Sequence, residues 1–151
     1  MKIYLLTHER ELQRKTNTGQ IAIKQLGPMV ERVVWQRRQP NPDLLALMKA
    51  NQIALMYPQD GVEYSSIDHF DNIILIDSTW QEANKIYNRS AYLQDVPKIK
   101  LTPPHVSHYS LRRNQRDGGL CTVECVIEIL KLKGIPSVAE DLLREFEQFN
   151  I

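Results

Sequence analysis

Cysteine is scarce in this chain: Cys121 and Cys125 are the only two in 151 residues. They lie four positions apart on a predicted helix, which is a poor geometry for a disulfide, and two ligands are too few for a closed zinc site. The pattern is typical of reduced, mostly buried thiols of a cytosolic protein, and no bound metal is expected.

Long apolar runs are also missing, since none approaches the roughly eighteen residues of a membrane-spanning helix. The N-terminus lacks the basic and apolar segments of a secretory signal. We therefore expect no membrane association and a cytoplasmic location. Glycine is rare, with six residues, and the glycine patterns GxGxxG and GxxxxGK[ST] do not occur, which disfavours a Rossmann nucleotide site and a P-loop. The motifs HExxH and GxSxG are absent too.

What remains is an ordinary globular composition, with 42% hydrophobic and 25% charged residues. A chain of this length can bury a substantial core without disulfides or metals. No internal repeat or linker divides it, so we expect one domain over residues 1–151.

Apolar strand-like runs alternate with helical patterns along the whole chain. Strands are predicted at 2–7, 31–36, 52–57, 73–76 and 96–101. Helices are predicted after 16–19, from Pro42, after Thr79, over 120–133, and after Ser137, which forms a capping-box pair with Glu140. This alternation predicts an α/β fold with three layers and a mainly parallel sheet of about five strands.

The segment Asp77-Ser78-Thr79-Trp80 lies where the apolar strand 73–76 meets a helix start. Thr79 with Glu82, and Ser78 with Gln81, have capping-box spacing. Ligands of open α/β sheets bind beyond the carboxyl ends of the strands, which makes Asp77 a candidate for chemistry. The alternative is that Asp77 helps to cap the helix and Trp80 is a core residue.

The net charge of +1 hides an uneven distribution. Residues 81–116 carry seven lysines and arginines against Glu82 and Asp95. A basic segment beside a candidate site favours a phosphate-bearing partner, although a solvated face would look the same.

Four stretches in this order and spacing carry a resemblance to a known family: 16–19 (TNTG), 77–80 (DSTW), Tyr109 with 111–113 (LRR), and 120–124 (LCTVE). From roughly residue 4 to 133 the chain resembles the DTW-domain family, the tRNA-uridine aminocarboxypropyltransferases. The resemblance implies a SPOUT-like fold with a C-terminal trefoil knot that holds S-adenosylmethionine.

The chain departs from the family in two places. Family members often carry a cysteine-rich segment before the first strand, whereas this sequence begins almost on that strand. Where the family usually shows Ser-Thr-x-Glu-Ala, this chain has Cys121 and Cys125 in place of the two small residues. A role of the missing segment in gripping RNA is therefore in doubt here.

The implied reaction transfers the 3-amino-3-carboxypropyl group of S-adenosylmethionine to N3 of a uridine in tRNA. Asp77 is the candidate base for the N3 proton, and Trp80 could stack on the flipped uracil or belong to the core. The positions matching the cofactor site are Tyr57, Pro58, Leu101, Thr102, Leu111, Gly118, Gly119, Leu120, Thr122 and Glu124. The candidate RNA contacts are Arg10, Arg14, Lys85, Arg112, Arg113 and Arg116, of which Arg112 and Arg113 could instead bind the cofactor carboxylate.

Two other functions fit the same residues. One is a SPOUT-type RNA methyltransferase, and the other is a non-catalytic RNA-binding domain that kept the fold.

Overall fold

The computed structural model describes residues 1–58, 63–101 and 120–150. Five parallel strands form one sheet in the order β2-β1-β4-β3-β5. The strands are β1 Lys2–Thr7, β2 Val30–Val34, β3 Ile53–Met56, β4 Asn72–Asp77 and β5 Lys98–Ile99. The helices are α1 Gly19–Leu26, α2 Pro42–Lys49, α3 Trp80–Arg89, α4 Ala91–Gln94, α5 Thr122–Leu132 and α6 Pro136–Phe149, with 3₁₀ turns at Glu9–Glu11, Gly27–Met29 and Ile67–His69.

Two hydrophobic cores cover the two faces of this sheet. Ile3 and Leu5 of β1 point into a core with α1, α5 and α6, whereas Tyr4 and Leu6 point into a core with α2, α3 and α4. Because side chains alternate along a strand and both faces are covered, the central strands are apolar throughout. The three-layer α/β prediction is therefore confirmed. The predicted knot depends on residues 102–119, which lie outside the described part.

The strand β5 is shorter than predicted, with two residues in place of 96–101. Among the described strands it pairs with β3 alone, at Leu55↔Lys98 and Met56↔Ile99, and β3 itself has four residues. Pro97, just before the strand, has no amide hydrogen to donate. At this edge of the sheet the apolar run is therefore longer than the strand.

One predicted helix cap is wrong. The helix α6 begins at Pro136, one residue before Ser137, and no side chain caps it. Proline suits the first helical position because its missing amide hydrogen would have no partner there. At α3 the N-cap is Thr79, whose Oγ1 accepts a hydrogen bond from the amide of Glu82 at 3.3 Å.

Lys98 belongs to the basic segment of the sequence but not to the surface. Its ammonium is buried and donates to the carbonyl oxygens of Leu93, Gln94 and Val96 at 3.0, 3.0 and 2.6 Å. Burial lowers the pKa of Lys98, with a smaller opposing effect from Asp95. Lys98 therefore satisfies carbonyl groups at the end of α4 and does not contribute to a basic face.

Both cysteines are free thiols, as the sequence predicts. Burial raises the pKa of both, that of Cys125 to about 12, and the charge of Glu124 adds to the effect. Thiols of this kind are poor nucleophiles at neutral pH. Among the residues described, no helix is long and apolar enough to cross a membrane.

The burial of β3 in the central layer of the fold leads to a prediction about stability. Leu55 in β3 is fully buried, so Leu55→Ala should lower the free energy of unfolding by about 2–5 kcal/mol because it leaves a cavity. Leu132→Ala is the matched control, since that side chain is 51% exposed and should change stability by no more than about 0.5 kcal/mol. Urea denaturation measures both, and equal effects would contradict the assigned core.

Candidate active site at the carboxyl edge of the sheet

Asp77 is the last residue of β4 and is completely buried. In the register of the sheet it lies beside Thr7 of β1, which in turn lies beside Val34 of β2. The carboxyl ends of three strands thus meet in one row. The prediction that Asp77 lies at the carboxyl edge of the sheet is confirmed.

Four side chains surround the Asp77 carboxylate. Thr122 Oγ1 donates to Oδ1 at 2.8 Å, and Asn17 Nδ2 lies 3.0 and 3.1 Å from the two oxygens. Arg32 Nη2 and Thr7 Oγ1 each lie 3.3 Å from Oδ2. Asp77 therefore does not cap α3, and the capping alternative is wrong.

These donors explain how a carboxylate can be buried here. An isolated buried charge is costly, but Arg32 supplies the opposite charge and the neutral donors supply hydrogen bonds. The N-terminus of α5 adds its partial positive charge, because Thr122 is the first residue of that helix. Arg32 is the most exposed of these donors, since its side chain is 22% exposed and its Nε has no hydrogen-bond partner in the described structure. Its Nη2 also donates to Asn17 Oδ1 at 2.9 Å.

The same carboxylate leaves no space for a side chain at position 19, which is a glycine. A Cβ atom at this position would lie 2.5 Å from Asp77 Oδ2, which is closer than real Cβ atoms approach. The glycine lets the start of α1 pack directly against the charge.

The segment 16–19 was predicted to cap α1, and it does so only in part. Asn17 Oδ1 accepts from the amide of Gln20 at 3.0 Å. Thr18 makes no side-chain cap for α1, because its Oγ1 accepts from the amide of Val123 at 3.1 Å in the first turn of α5. Thr18 therefore joins two elements that are far apart in the sequence.

A second polar group of residues is connected to the first through Asn17. Glu11 is fully buried and accepts from Asn17 Nδ2 at 3.1 Å and from Arg14 Nη1 at 2.5 Å. Arg14 Nη2 also donates to Glu82 Oε1 at 2.9 Å. Burial opposes the charge of Arg14, but the bonds to Glu82 and Glu11 outweigh it and keep its pKa raised. Arg14 was a candidate RNA contact, and here two carboxylates neutralise it.

Trp80 stands at the start of α3 in an aromatic stack. Its ring lies 5.6 Å from that of Tyr57, at an angle of 21°, and Tyr57 lies 4.3 Å from Tyr87. The hydroxyl of Tyr57 donates to Asn84 Oδ1 at 2.9 Å. Trp80 is only half-buried and packs at the margin of the second core. Both predicted roles, core contact and stacking platform, fit this position.

The remaining predicted residues are distributed as follows. Pro58 is exposed at the end of β3, and Leu101 and Leu120 are half-buried. Glu124 is buried and accepts from the amide of Cys121 at 3.1 Å, so it caps the start of α5. Arg10 and Lys85 are exposed. The residues that lie outside the described part are Thr102, Leu111, Arg112, Arg113, Arg116, Gly118 and Gly119.

Sequence reasoning missed Arg32, Thr7 and Glu11. The one signal for Arg32 was a charged residue inside an apolar strand, which more often marks an exposed edge. Glu11 gave no signal, because one acid among the charged residues of 8–15 looks solvated. None of the described His, Cys, Asp and Glu residues form a cluster of three that could hold a metal.

The contact between Gly19 and Asp77 predicts a specific coupling. Gly19→Ala should destabilise the protein by about 1–3 kcal/mol, because the new methyl group overlaps the carboxylate. In an Asp77→Ala background the same change should cost much less, since the overlapping atoms are gone. A double-mutant cycle by denaturant unfolding checks this, and additive costs would show that the close contact is not the cause.

A sequence model of the DTW domain matches residues 1–150. The chain is 30% identical to tRNA-uridine aminocarboxypropyltransferase 2 of Drosophila melanogaster, covering 95% of this chain and 61% of the relative. It is 25% identical to the protein of the same name from Mus musculus, covering 96% and 52%. The chain thus spans little more than half the length of these relatives.

A solved structure, the SAM-dependent rRNA:acp-transferase Tsr3 from Vulcanisaeta distributa, superposes with a TM-score of 0.60 at 14% identity. The superposition covers 99% of this chain and 74% of that one, so the two share a fold. The match to the DTW domain extends over nearly every residue, and three of its sequence stretches meet at one buried carboxylate. The chain therefore belongs to the DTW domain family.

Proposed function

We propose that this chain transfers the 3-amino-3-carboxypropyl group of S-adenosylmethionine to N3 of a uridine in tRNA. Relatives that carry this activity in their names align along almost the whole chain. The observation that carries the proposal is the convergence of Asn17, Gly19 and Thr122 on Asp77 at the carboxyl edge of the sheet. A binding module has no evident need for a buried, fully engaged charge at that edge.

The residues described at the proposed cofactor site fit such a ligand. Tyr57 and Leu101 follow β3 and β5, which are neighbours, and the Tyr57 amide donates to the carbonyl of Ile99. The half-buried Trp80 beside Tyr57 adds an aromatic surface suited to a planar or cationic group. Thr122 and Glu124 have partners within the protein, so we assign them to holding α5 in place. A trefoil knot around this site is part of the same proposal.

When bound, S-adenosylmethionine supplies an activated carbon attached to its sulfonium. The N3 lone pair of uridine forms the new N–C bond, the S–C electron pair leaves with methylthioadenosine, and the N3 proton must pass to a base. The chain decides which carbon reacts by orienting the substrate.

We assign Asp77 as that base, with a condition set by the geometry. Both oxygens are engaged, so N3–H can reach the carboxylate only by replacing one of its present donors. We take Arg32 as the donor that moves, because its side chain is the most exposed of the four. Its movement would also break the bond from its Nη2 to Asn17 Oδ1 at 2.9 Å. Trp80 would hold the uracil against this opening by stacking.

For the RNA, exposed Arg10 and Lys85 remain candidate contacts together with Arg112, Arg113 and Arg116. Arg14 could join them only by leaving Glu11 and Glu82.

The by-product of the reaction tests the proposed function directly. Incubated with S-adenosylmethionine and tRNA, the protein should release methylthioadenosine and leave an aminocarboxypropyl group on uridine. Chromatography and mass spectrometry of the nucleosides measure both. Release of S-adenosylhomocysteine would show a methyltransferase, and salt-sensitive tRNA binding without either product would show a binding domain.

Asp77→Asn tests the base, provided that it is compared with Thr122→Val. Loss of a general base should lower kcat by about 10²- to 10⁴-fold with little change in cofactor affinity. Thr122→Val removes one donor to Asp77 and keeps the carboxylate, so kcat should fall by less than about tenfold.

Asp77→Asn replaces a carboxylate oxygen by an amide group that faces the donors around Asp77, so this variant should be less stable. Circular dichroism and calorimetry must therefore show that both variants are folded when their rates are compared. If Asp77 is the base, the decline in rate on the acid side of the pH–rate profile should disappear in Asp77→Asn. Equal losses of kcat in the two variants, with that decline retained, would show that Asp77 only positions α5.

A further inference from the structure

Beside the candidate site, the sheet edge carries a second cluster, the edge patch, formed by His8, Arg10, Trp35, Arg37 and Arg38. His8 directly follows Thr7, and Trp35 directly follows Val34, so both lie one residue beyond the row that contains Asp77. Adjacent strands are about 4.8 Å apart, which places the backbone of Trp35 roughly 10 Å from that of Ser78. The edge patch is therefore continuous with the candidate site.

The two aromatic rings of the edge patch are held in fixed orientations. The rings of His8 and Trp35 lie 5.6 Å apart at an angle of 31°. Trp35 Nε1 donates to the hydroxyl of buried Ser90 at 2.7 Å, and His8 Nδ1 accepts from the amide of Arg10 at 3.1 Å. Both side chains are half-buried, and Trp35 also packs against the second core. Such a pair offers a preorganised aromatic surface.

The backbone that follows Trp35 is anchored as well. The hydroxyl of Tyr92 donates to the carbonyl of Gln36 at 3.1 Å, which holds the chain just before Arg37 and Arg38 against α4. Burial raises the pKa of Tyr92, so this hydroxyl stays a donor at neutral pH. The two arginines thus project from a fixed position.

Unlike Arg14 and Arg32, the arginines of the edge patch have no acidic partner among the described residues. Arg10, Arg37 and Arg38 are exposed, and none forms an ion pair with another described residue. Beside Arg10, an open depression of about 520 Å³ is lined by Glu9, Arg10, Leu12 and Gln13.

From these contacts we infer that the edge patch binds a single-stranded stretch of RNA next to the uridine that enters the candidate site. Aromatic surfaces flanked by unpaired arginines suit unstacked bases and the phosphates between them. The inference rests on the proposed function in taking RNA as the substrate. It adds a contact surface on the β1–β2 side of the sheet.

The test is binding of a uridine-containing single-stranded oligoribonucleotide, measured by fluorescence anisotropy over a range of salt concentrations. The double variant Arg37→Glu with Arg38→Glu should raise Kd by about tenfold or more and reduce the salt slope by about 1.4, from two lost phosphate contacts. His8→Ala should weaken binding by about fivefold or more, and His8→Phe should restore it.

The matched control is Lys24→Glu with Lys49→Glu. Both lysines are exposed, occupy the last turns of α1 and α2, and form no ion pair with another described residue. This pair makes the same change in net charge at the opposite edge of the sheet and should change Kd by less than about twofold. Equal effects of the two double variants, or displacement of the RNA by polyglutamate as readily as by unlabelled RNA, would overturn the inference.

Failure of this inference is distinguishable from failure of the proposed function. If the protein transfers the aminocarboxypropyl group and the Arg37, Arg38 variant keeps the wild-type KM for tRNA, the edge patch is not the RNA contact. If the protein releases no methylthioadenosine but the oligoribonucleotide data follow the expected pattern, the edge patch stands and the transfer activity is wrong.

Discussion

The burial of the Asp77 charge is the interaction on which the rest of this structure depends. A carboxylate at the end of a central strand can be buried without a large energetic cost only if donors converge on it from several directions. Here they come from β1, the loop before α1, β2 and the first turn of α5. The charge therefore fixes how elements on one side of the sheet meet, and the glycine at position 19 is a direct result of that crowding.

Much of the architecture could be predicted from the sequence because the signals are local. Continuous apolar runs such as 73–76 indicate strands covered on both faces, and Thr79 three residues before Glu82 predicts a cap that the structure confirms. Local sequence signals do not predict an element's bounds where contacts with neighbouring elements determine them. The length of β5 depends on β3, and the start of α6 depends on Pro136 rather than on the better capping residue after it.

The site was predictable in position but not in composition. Asp77 follows from the place where an apolar run ends, and Thr18 looks like an ordinary helix cap until its amide partner proves to be Val123. Arg32 contacts Asp77 across 45 positions of the sequence, which no periodicity contains. The partners of Glu11, Arg14 and Asn17, are close in the sequence, but one acid in a charged segment does not predict burial. Tertiary structure also changed two predictions about charge. Lys98 of the basic segment is buried, and Arg14, a candidate RNA contact, pairs with Glu11 and Glu82.

The order in which these partners occur along the chain has a consequence for biosynthesis. Thr7, Asn17, Arg32 and Asp77 leave the ribosome early, whereas Thr122 and the start of α5 follow only after a further 45 residues. Until then the nascent chain holds a strand-end carboxylate without its closest donor and without the helix that covers it. Because chain elongation proceeds at about 5–20 residues per second, this incomplete state lasts for seconds in every molecule made. The candidate site is therefore among the last parts of the domain to mature, and a ribosome that stalls before residue 122 leaves it unfinished.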